Sequence, residues 1–174
     1  FCTLFNSHVP RRGPLNTPFL GLSLGEIEKG TGGREQVAWV LATPKMQGVG
    51  NATKIHYWGH YPVADLEYEI DGPISVGLRA WSPFLPGDVA TSNTPGAVFE
   101  VHLRNESDAA KAGTVVFSFP GPTPGEAGAS RFRRDAVTGA LEGVAVTTGQ
   151  ASYVLGAVGA GEVRSGGGLG VDGG

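Results

Sequence analysis

The stretch from Ala64 to Ala80, ADLEYEI-DGP-ISVGLRA, decides the fold. Apolar side chains take every second position on both sides of a central turn: Ala64, Leu66, Tyr68 and Ile70, then Ile74, Val76, Leu78 and Ala80. This two-residue period predicts two strands that each bury one face. Asp71-Gly72-Pro73 predicts the turn, because glycine tolerates positive φ and proline stops a strand ladder.

The same stretch predicts its own register. If the hairpin is symmetric about its turn, Ile70 faces Ile74, Leu66 faces Leu78 and Asp65 lies opposite Arg79. A slip by one residue would turn all the apolar side chains to water, so the buried face fixes the pairing.

A second pair of alternating runs follows, AVFEVHLRN and GTVVFSF, joined by the polar segment NESDAAKAG. We expect these two strands to be antiparallel neighbours. Weaker strand patterns cover four further stretches, Phe19–Ile27, Gln36–Thr43, Gly143–Thr148 and Ser152–Val158. About nine strands with one apolar face each predict an all-β fold, a two-sheet antiparallel β-sandwich with long loops rather than a closed barrel.

Composition excludes several classes of protein. Hydrophobic residues make up 40% of the 174 residues and charged ones 17%, so most of the chain is not intrinsically disordered. The net charge is -3, and the cluster Arg131, Arg133 and Arg134 is too small to indicate nucleic-acid binding. No apolar run is long enough for a membrane helix. A soluble protein is expected, with a cytoplasmic location favoured. One cysteine, Cys2, excludes an internal disulfide and a cysteine-based zinc site.

The predicted sandwich domain covers residues 1–165, and residues 166–174 form a glycine-rich loop or tail. The chain begins without methionine and ends in SGGGLGVDGG, so we expect that both ends are truncated.

The candidate chemical groups favour binding over catalysis. Asp65, Glu67 and Glu69 share one strand face, which is more typical of a solvated sheet surface than of a glycosidase acid pair. His56 and His60 lie four residues apart, with His8 or His102 as a third zinc ligand, but HYWGH lacks the glutamate of HExxH. We therefore predict no catalytic residue, no metal site and no cofactor.

Two other features carry the binding predictions. Tyr57, Trp58 and Tyr61 can stack on sugar rings, or alternatively fill the end of the sandwich or a seam between domains. The loop Ser82–Gly96 is long, rich in proline and poor in charge. We expect it to pack on another domain or on the end of the sandwich through five residues, Trp81, Pro83, Phe84, Leu85 and Pro86.

Several motifs carry a family resemblance: IHYWGHYP at Ile55–Pro62, SPFLP at Ser82–Pro86 with Asp88, TPGAVFEVHLRNESD at Thr94–Asp108 leading into GTVVFSF, and GALEGVAVTTGQASYVLGAV at Gly139–Val158. Over Ile55–Val158 the chain resembles the N-terminal domain of glycoside hydrolase family 116, the type of the non-lysosomal glucosylceramidase or bile-acid β-glucosidase. The resemblance implies a β-sandwich that accompanies a separate (α/α)6 barrel carrying the catalytic carboxylates of a retaining β-glycosidase.

From the resemblance we expect a non-catalytic accessory domain whose partner is that catalytic domain. Carbohydrate or glycolipid is a further possible ligand. The alternative is a free-standing carbohydrate-binding or structural sandwich, and a self-sufficient hydrolase is disfavoured because no persuasive acid pair is present.

Overall fold

The computed structural model describes residues 20–28, 34–119, 128, 132–148, 152–159 and 161–166. Within them the chain forms eleven strands and one short helix: β1 Leu20–Glu28, β2 Arg34–Val40, β3 Gly50–Asn51, β4 Lys54–His60, β5 Val63–Glu69, β6 Ile74–Trp81, α1 Val89–Ser92, β7 Val98–Asn105, β8 Gly113–Phe117, β9 Arg133–Val137, β10 Glu142–Thr147 and β11 Ser152–Ala157. The chain divides into two compact units, Phe1–Phe117 and Ser118–Gly174.

The first unit contains two four-stranded sheets. One has the order β3-β2-β1-β8, with antiparallel pairing except for the short parallel pair of β2 and β3. The other has the order β4-β5-β6-β7 and is antiparallel throughout. In this second sheet Leu66 pairs with Leu78 and Asp65 with Arg79, which confirms the predicted register.

The two sheets share one hydrophobic core. Leu20, Leu22 and Leu24 of β1 are buried in the same cluster as Val76 and Leu78 of β6. Phe99 of β7 and Phe117 of β8 also meet, with ring centroids 5.0 Å apart. Apolar faces from both sheets thus close on each other, and the prediction of an all-β sandwich is confirmed.

One predicted pairing is wrong. The strands AVFEVHLRN and GTVVFSF are not neighbours: β7 pairs with β6, and β8 pairs with β1 in the opposite sheet. The connection is tied to both sheets, because Glu106 donates its backbone N–H to Pro73 and Ala112 accepts one from Gly25. An alternating apolar face is buried equally well by a partner across the sandwich, and the connection is long enough to cross the roughly 10 Å between sheets.

Trp39 of β2 joins the two sheets at the turn of the central hairpin. Its indole is buried, and its Nε1–H donates to the carbonyl oxygen of Asp71 at 3.1 Å. A Cβ atom at Gly72 would lie 2.5 Å from the Trp39 ring, and one at Gly50 equally close to its other edge. The turn at Asp71-Gly72-Pro73 is as predicted, but the reason given for glycine is wrong. Gly72 does not have a positive φ; it makes room for the indole.

The second unit contains one antiparallel sheet with the order β11-β10-β9. Val146 of β10 is buried and lies opposite Tyr153 of β11, whose ring meets that of Phe119 at a centroid distance of 5.7 Å. The strands predicted at Gly143–Thr148 and Ser152–Val158 correspond to β10 and β11. A single sandwich domain over residues 1–165 stays a prediction.

Among the described residues, the hydroxyl of Tyr68 is the one buried side-chain polar group without a hydrogen-bond partner. Tyr68 belongs to the core and is 3% exposed. Burial raises the pKa of Tyr68 to about 12, because the phenolate loses its hydration inside the core.

We predict that Gly72→Ala destabilises the protein by about 1–3 kcal/mol, since the new methyl group would lie 2.5 Å from the buried ring of Trp39. Gly96→Ala is the matched control, because no atom lies within 4 Å of the added carbon there. Urea unfolding of both variants measures the difference. Equal midpoints for the two would contradict the packing role assigned to Gly72.

We predict that Tyr68→Phe keeps the free energy of unfolding or raises it by about 1 kcal/mol, because a buried hydroxyl without a partner is removed. The folded-state pKa is raised above its usual value of about 10, so native stability should fall as pH rises from about 10 to 12, and this fall should be absent from the variant. Urea titrations at several alkaline pH values test both points. Destabilisation by more than about 1 kcal/mol would reveal an important hydrogen bond of the hydroxyl.

Candidate functional site

One end of the sheet β4–β7 brings together Tyr61 and the residues of the predicted docking loop. The β4–β5 turn and the β6–β7 connection lie at the same end, because Val63 pairs with Trp81 and Trp81 pairs with Val98. Tyr61 in the turn is 82% exposed and meets Phe84 of the connection edge to face, with centroids 5.1 Å apart. We call this region, Tyr61–Pro62 together with Ser82–Ala97, the apolar end.

The β6–β7 connection holds its own shape. Asp88 caps the helix α1: its carboxylate accepts hydrogen bonds from the backbone N–H and the hydroxyl of Thr91, at 3.0 and 2.7 Å. Ser92 is bonded to both backbone groups of Leu85, each at 3.0 Å. These bonds close the segment Leu85–Ser92 upon itself. The bonds from Thr91 hold the pKa of the Asp88 carboxyl below its usual value.

The closed segment leaves large apolar side chains in water. Phe84 is 43% and Leu85 52% exposed, and Val89 and Val98 are exposed as well. Trp81 is half-buried, and its Nε1–H donates to the Glu100 carboxylate at 3.3 Å. The structure therefore places Phe84 and Leu85 on the surface of an ordered loop, with Trp81 at its base.

The aromatic residues of β4 separate onto two faces. Tyr57 pairs with Leu66 and so lies on the core-facing side, where its ring covers Gly59 beyond the edge of the core. Trp58 pairs with Asp65 on the outer face and is 52% exposed. The structure brings Tyr61 together with Phe84 and does not bring Trp58 together with Tyr57.

On the outer face Trp58 belongs to a packed group. Its ring lies nearly parallel to that of His56, at 17° and a centroid distance of 5.8 Å. His56 in turn shares a hydrogen bond with Glu69, with 2.6 Å between Nε2 and Oε1. The sheet and this bond fix the direction of the indole.

The carboxylates of the outer face are poor candidates for glycosidase catalysis. Arg79 donates two hydrogen bonds to Asp65, at 2.7 and 3.2 Å, and this contact lowers the pKa of Asp65. The bond from His56 likewise lowers the pKa of Glu69. A general acid needs a raised pKa to stay protonated, so both shifts have the wrong sign for that role.

The histidines do not converge. His56 and His60 lie on one extended strand, about 13 Å apart along its axis, and His102 is on the far strand of the sheet. Among the described residues, no group of three or more His, Cys, Asp or Glu side chains could hold a metal ion. His8 lies outside these residues.

The sequence predictions missed the internal bonds of the loop. The signal was present, because aspartate is one of the residues preferred at the N-cap of a helix, where Asp88 lies. A single helical turn without a buried face leaves no periodic pattern, and so Val89–Ser92 was not predicted as helix.

In the described part of the chain no helix has the length and apolar character needed to cross a membrane. No curated protein and no solved structure matches this chain. A family model described as "beta-glucosidase 2, glycosyl-hydrolase family 116 N-term" matches residues 26–150, which is more than half of the chain. The match begins in β1 and ends after β10, so it includes the apolar end and the outer face of the sheet. The chain belongs to the family of N-terminal domains of glycoside hydrolase family 116.

Proposed function

We propose that this chain is the non-catalytic β-sandwich of a β-glycosidase and supports a separate (α/α)6 catalytic domain of the same protein. Membership of a family of N-terminal domains supports this role, because such a domain accompanies a larger hydrolase. The partner domain hydrolyses β-glycosides, with glucosylceramide-type lipids among the proposed substrates. A cytoplasmic location stays a prediction.

The observation that carries the proposal is the exposed apolar end. Tyr61, Phe84, Leu85 and Val89 present large apolar surfaces at one end of one sheet. Exposed apolar surface of this kind is typical of protein–protein contacts. The internal bonds of Leu85–Ser92 hold the loop before any partner arrives, which lowers the entropy lost on docking. We therefore assign Trp81, Pro83, Phe84, Leu85 and Pro86 to the contact with the catalytic domain.

The charge distribution agrees with a permanent contact. Apart from Asp88, the segment Ser82–Ala97 contains no charged residue, and the Asp88 carboxylate is occupied by Thr91. Depletion of charge is typical of the centre of a stable interface. A surface meant to stay in water would carry lysine and glutamate instead.

The second candidate function is a free-standing carbohydrate-binding module. Exposed Trp58 on the outer face supports it, because a flat indole can stack on a sugar ring. The two functions differ in their partner: the first needs a catalytic domain at the apolar end, and the second needs only the sugar.

We predict that this 174-residue chain alone does not hydrolyse an aryl β-glucoside, whereas the parent protein with its catalytic domain does. The reason is that Asp65 and Glu69 are held ionised by Arg79 and His56 and cannot serve as the general acid. Release of the chromogenic aglycone measures the rate of both. Hydrolysis by the chain alone, above the buffer rate, would refute the non-catalytic role.

We predict that Phe84→Ser combined with Leu85→Ser lowers the thermal midpoint of the parent enzyme by about 2–4 °C or more and speeds proteolysis between the domains, because apolar contact surface is lost. Leu103→Ser is the control. Leu103 is similarly exposed, at 46%, but pairs with Val76 towards the other end of the sheet.

Equal midpoints for the double variant, the control and the native enzyme would contradict docking at the apolar end. The double variant should lower the midpoint of the isolated chain less than that of the parent enzyme, because both side chains are already about half exposed there and only local contacts such as that of Phe84 with Tyr61 are lost.

A further inference from the structure

The outer face of the sheet β4–β7 is a mixed surface, distinct from the apolar end. Cross-strand pairing places rows of side chains side by side on it: Trp58, Asp65, Arg79 and Glu100; His56, Glu67, Gly77 and His102; and the pairs Lys54 with Glu69 and Ser75 with Arg104. A further row, His60, Val63, Trp81 and Val98, adjoins the apolar end. An aromatic ring, carboxylates, guanidinium groups and imidazoles therefore stand on one rigid sheet.

The middle of the face is open. Two shallow depressions, of about 260 and 290 Å³, meet at Gly77 and His102. Glu67, Ser75 and Arg104 line the first, and Asp65 and Arg79 line the second. The opening arises because Gly77 has no side chain between its neighbours. A Cβ atom there would meet other atoms only at ordinary contact distance, 3.7 Å, so the position does not require glycine for close packing.

The charges of the face largely satisfy one another. Asp65 is bound to Arg79, Glu69 to His56, and Arg104 to Glu106 at 2.7 Å. A phosphate or a strongly basic peptide would have to break these pairs to bind. Hydrogen-bonding capacity nevertheless remains at their edges, because a guanidinium has five N–H donors and a carboxylate has several lone pairs. The face thus suits a neutral ligand that offers many hydroxyl groups.

Trp58 adds the apolar half of the recognition. Its indole is fixed by the stack on His56 and stands about 10 Å, or two strand spacings, from the strand that carries Gly77. Pyranose rings have a face of C–H groups and an edge of hydroxyls, so one ring can cover the indole while the next reaches the depressions, where charged and polar groups stand beside apolar ones. A site on strands holds such groups more precisely than a site on loops.

From this arrangement we infer that the outer face of β4–β7 binds a neutral oligosaccharide, with Trp58 as the stacking platform and the depressions at Gly77 as the subsite for hydroxyl groups. This site does not depend on the docking role of the apolar end. It would hold the protein on a glycan chain while another domain acts.

The test is isothermal titration calorimetry of the intact protein with cellotetraose. A glucose-mimicking iminosugar is kept at saturating concentration, so that binding at a catalytic site does not contribute. We expect binding of cellotetraose and at least tenfold weaker binding of tetragalacturonate, whose carboxylates meet the anionic groups of the face. Absence of cellotetraose binding, or stronger binding of the anionic probe, overturns the inference.

Variants assign the binding to the face. Trp58→Ala and Gly77→Leu should each weaken cellotetraose binding at least tenfold, the first by removing the platform and the second by filling the depressions. Trp58→Phe should stay within about threefold of the native protein, because it keeps a flat ring. Val115→Ser, on β8 of the other sheet and outside both depressions, should not change binding.

Two measurements keep the outcomes separate. The thermal midpoint of each variant shows whether it folds, and Trp58 is exposed enough that its removal should not unfold the protein. Native affinity in both Trp58→Ala and Gly77→Leu would place any observed binding elsewhere and refute the inference. If docking at the apolar end proves wrong, these affinities should still be as predicted, because cellotetraose binding does not involve the apolar end.

Discussion

The contact between Trp39 and the turn of the central hairpin is the constraint on which the first unit depends. The indole leaves the sheet β3-β2-β1-β8, enters the core and bonds to Asp71 of the other sheet. Gly50 and Gly72 leave the space that the ring occupies. This contact fixes how far the two sheets slide along each other. Since the hairpin β5–β6 has a single register, the apolar end and the outer face of its sheet then have fixed positions.

The sheet β4–β7 has three different surfaces. Its inner face builds the core, its outer face carries paired charges around Trp58, and the connections at one end present apolar side chains. The alternation of side chains along each strand makes this separation possible, because neighbouring residues serve different surfaces without competing. Membership of the family of N-terminal domains of glycoside hydrolase family 116 is consistent with such a scaffold.

Electrostatics explain why Asp65 and Glu69 are unsuited to general acid catalysis. The acids that share the outer face are held by Arg79 and His56, and both contacts favour the ionised carboxylate. Catalytic acids are kept protonated by burial or by like charge, whereas at Asp65 and Glu69 the hydrogen bonds from Arg79 and His56 outweigh the effect of burial and lower the pKa. The only carboxylate of the β6–β7 connection belongs to Asp88. It accepts hydrogen bonds from the backbone N–H and the hydroxyl of Thr91. The carboxylates of Asp65, Glu69 and Asp88 therefore make contacts within the fold.

The sequence by itself determined the strands, the buried face and the register of the central hairpin, because a period of two residues is a local property that survives folding. It also indicated the family, since the motifs around SPFLP are contiguous in the chain. Only the tertiary structure decided that β7 and β8 belong to opposite sheets, that Gly72 makes room for Trp39, and that Tyr61 meets Phe84. Each of these depends on residues distant in sequence, and an alternating pattern shows that a face is buried without showing what covers it.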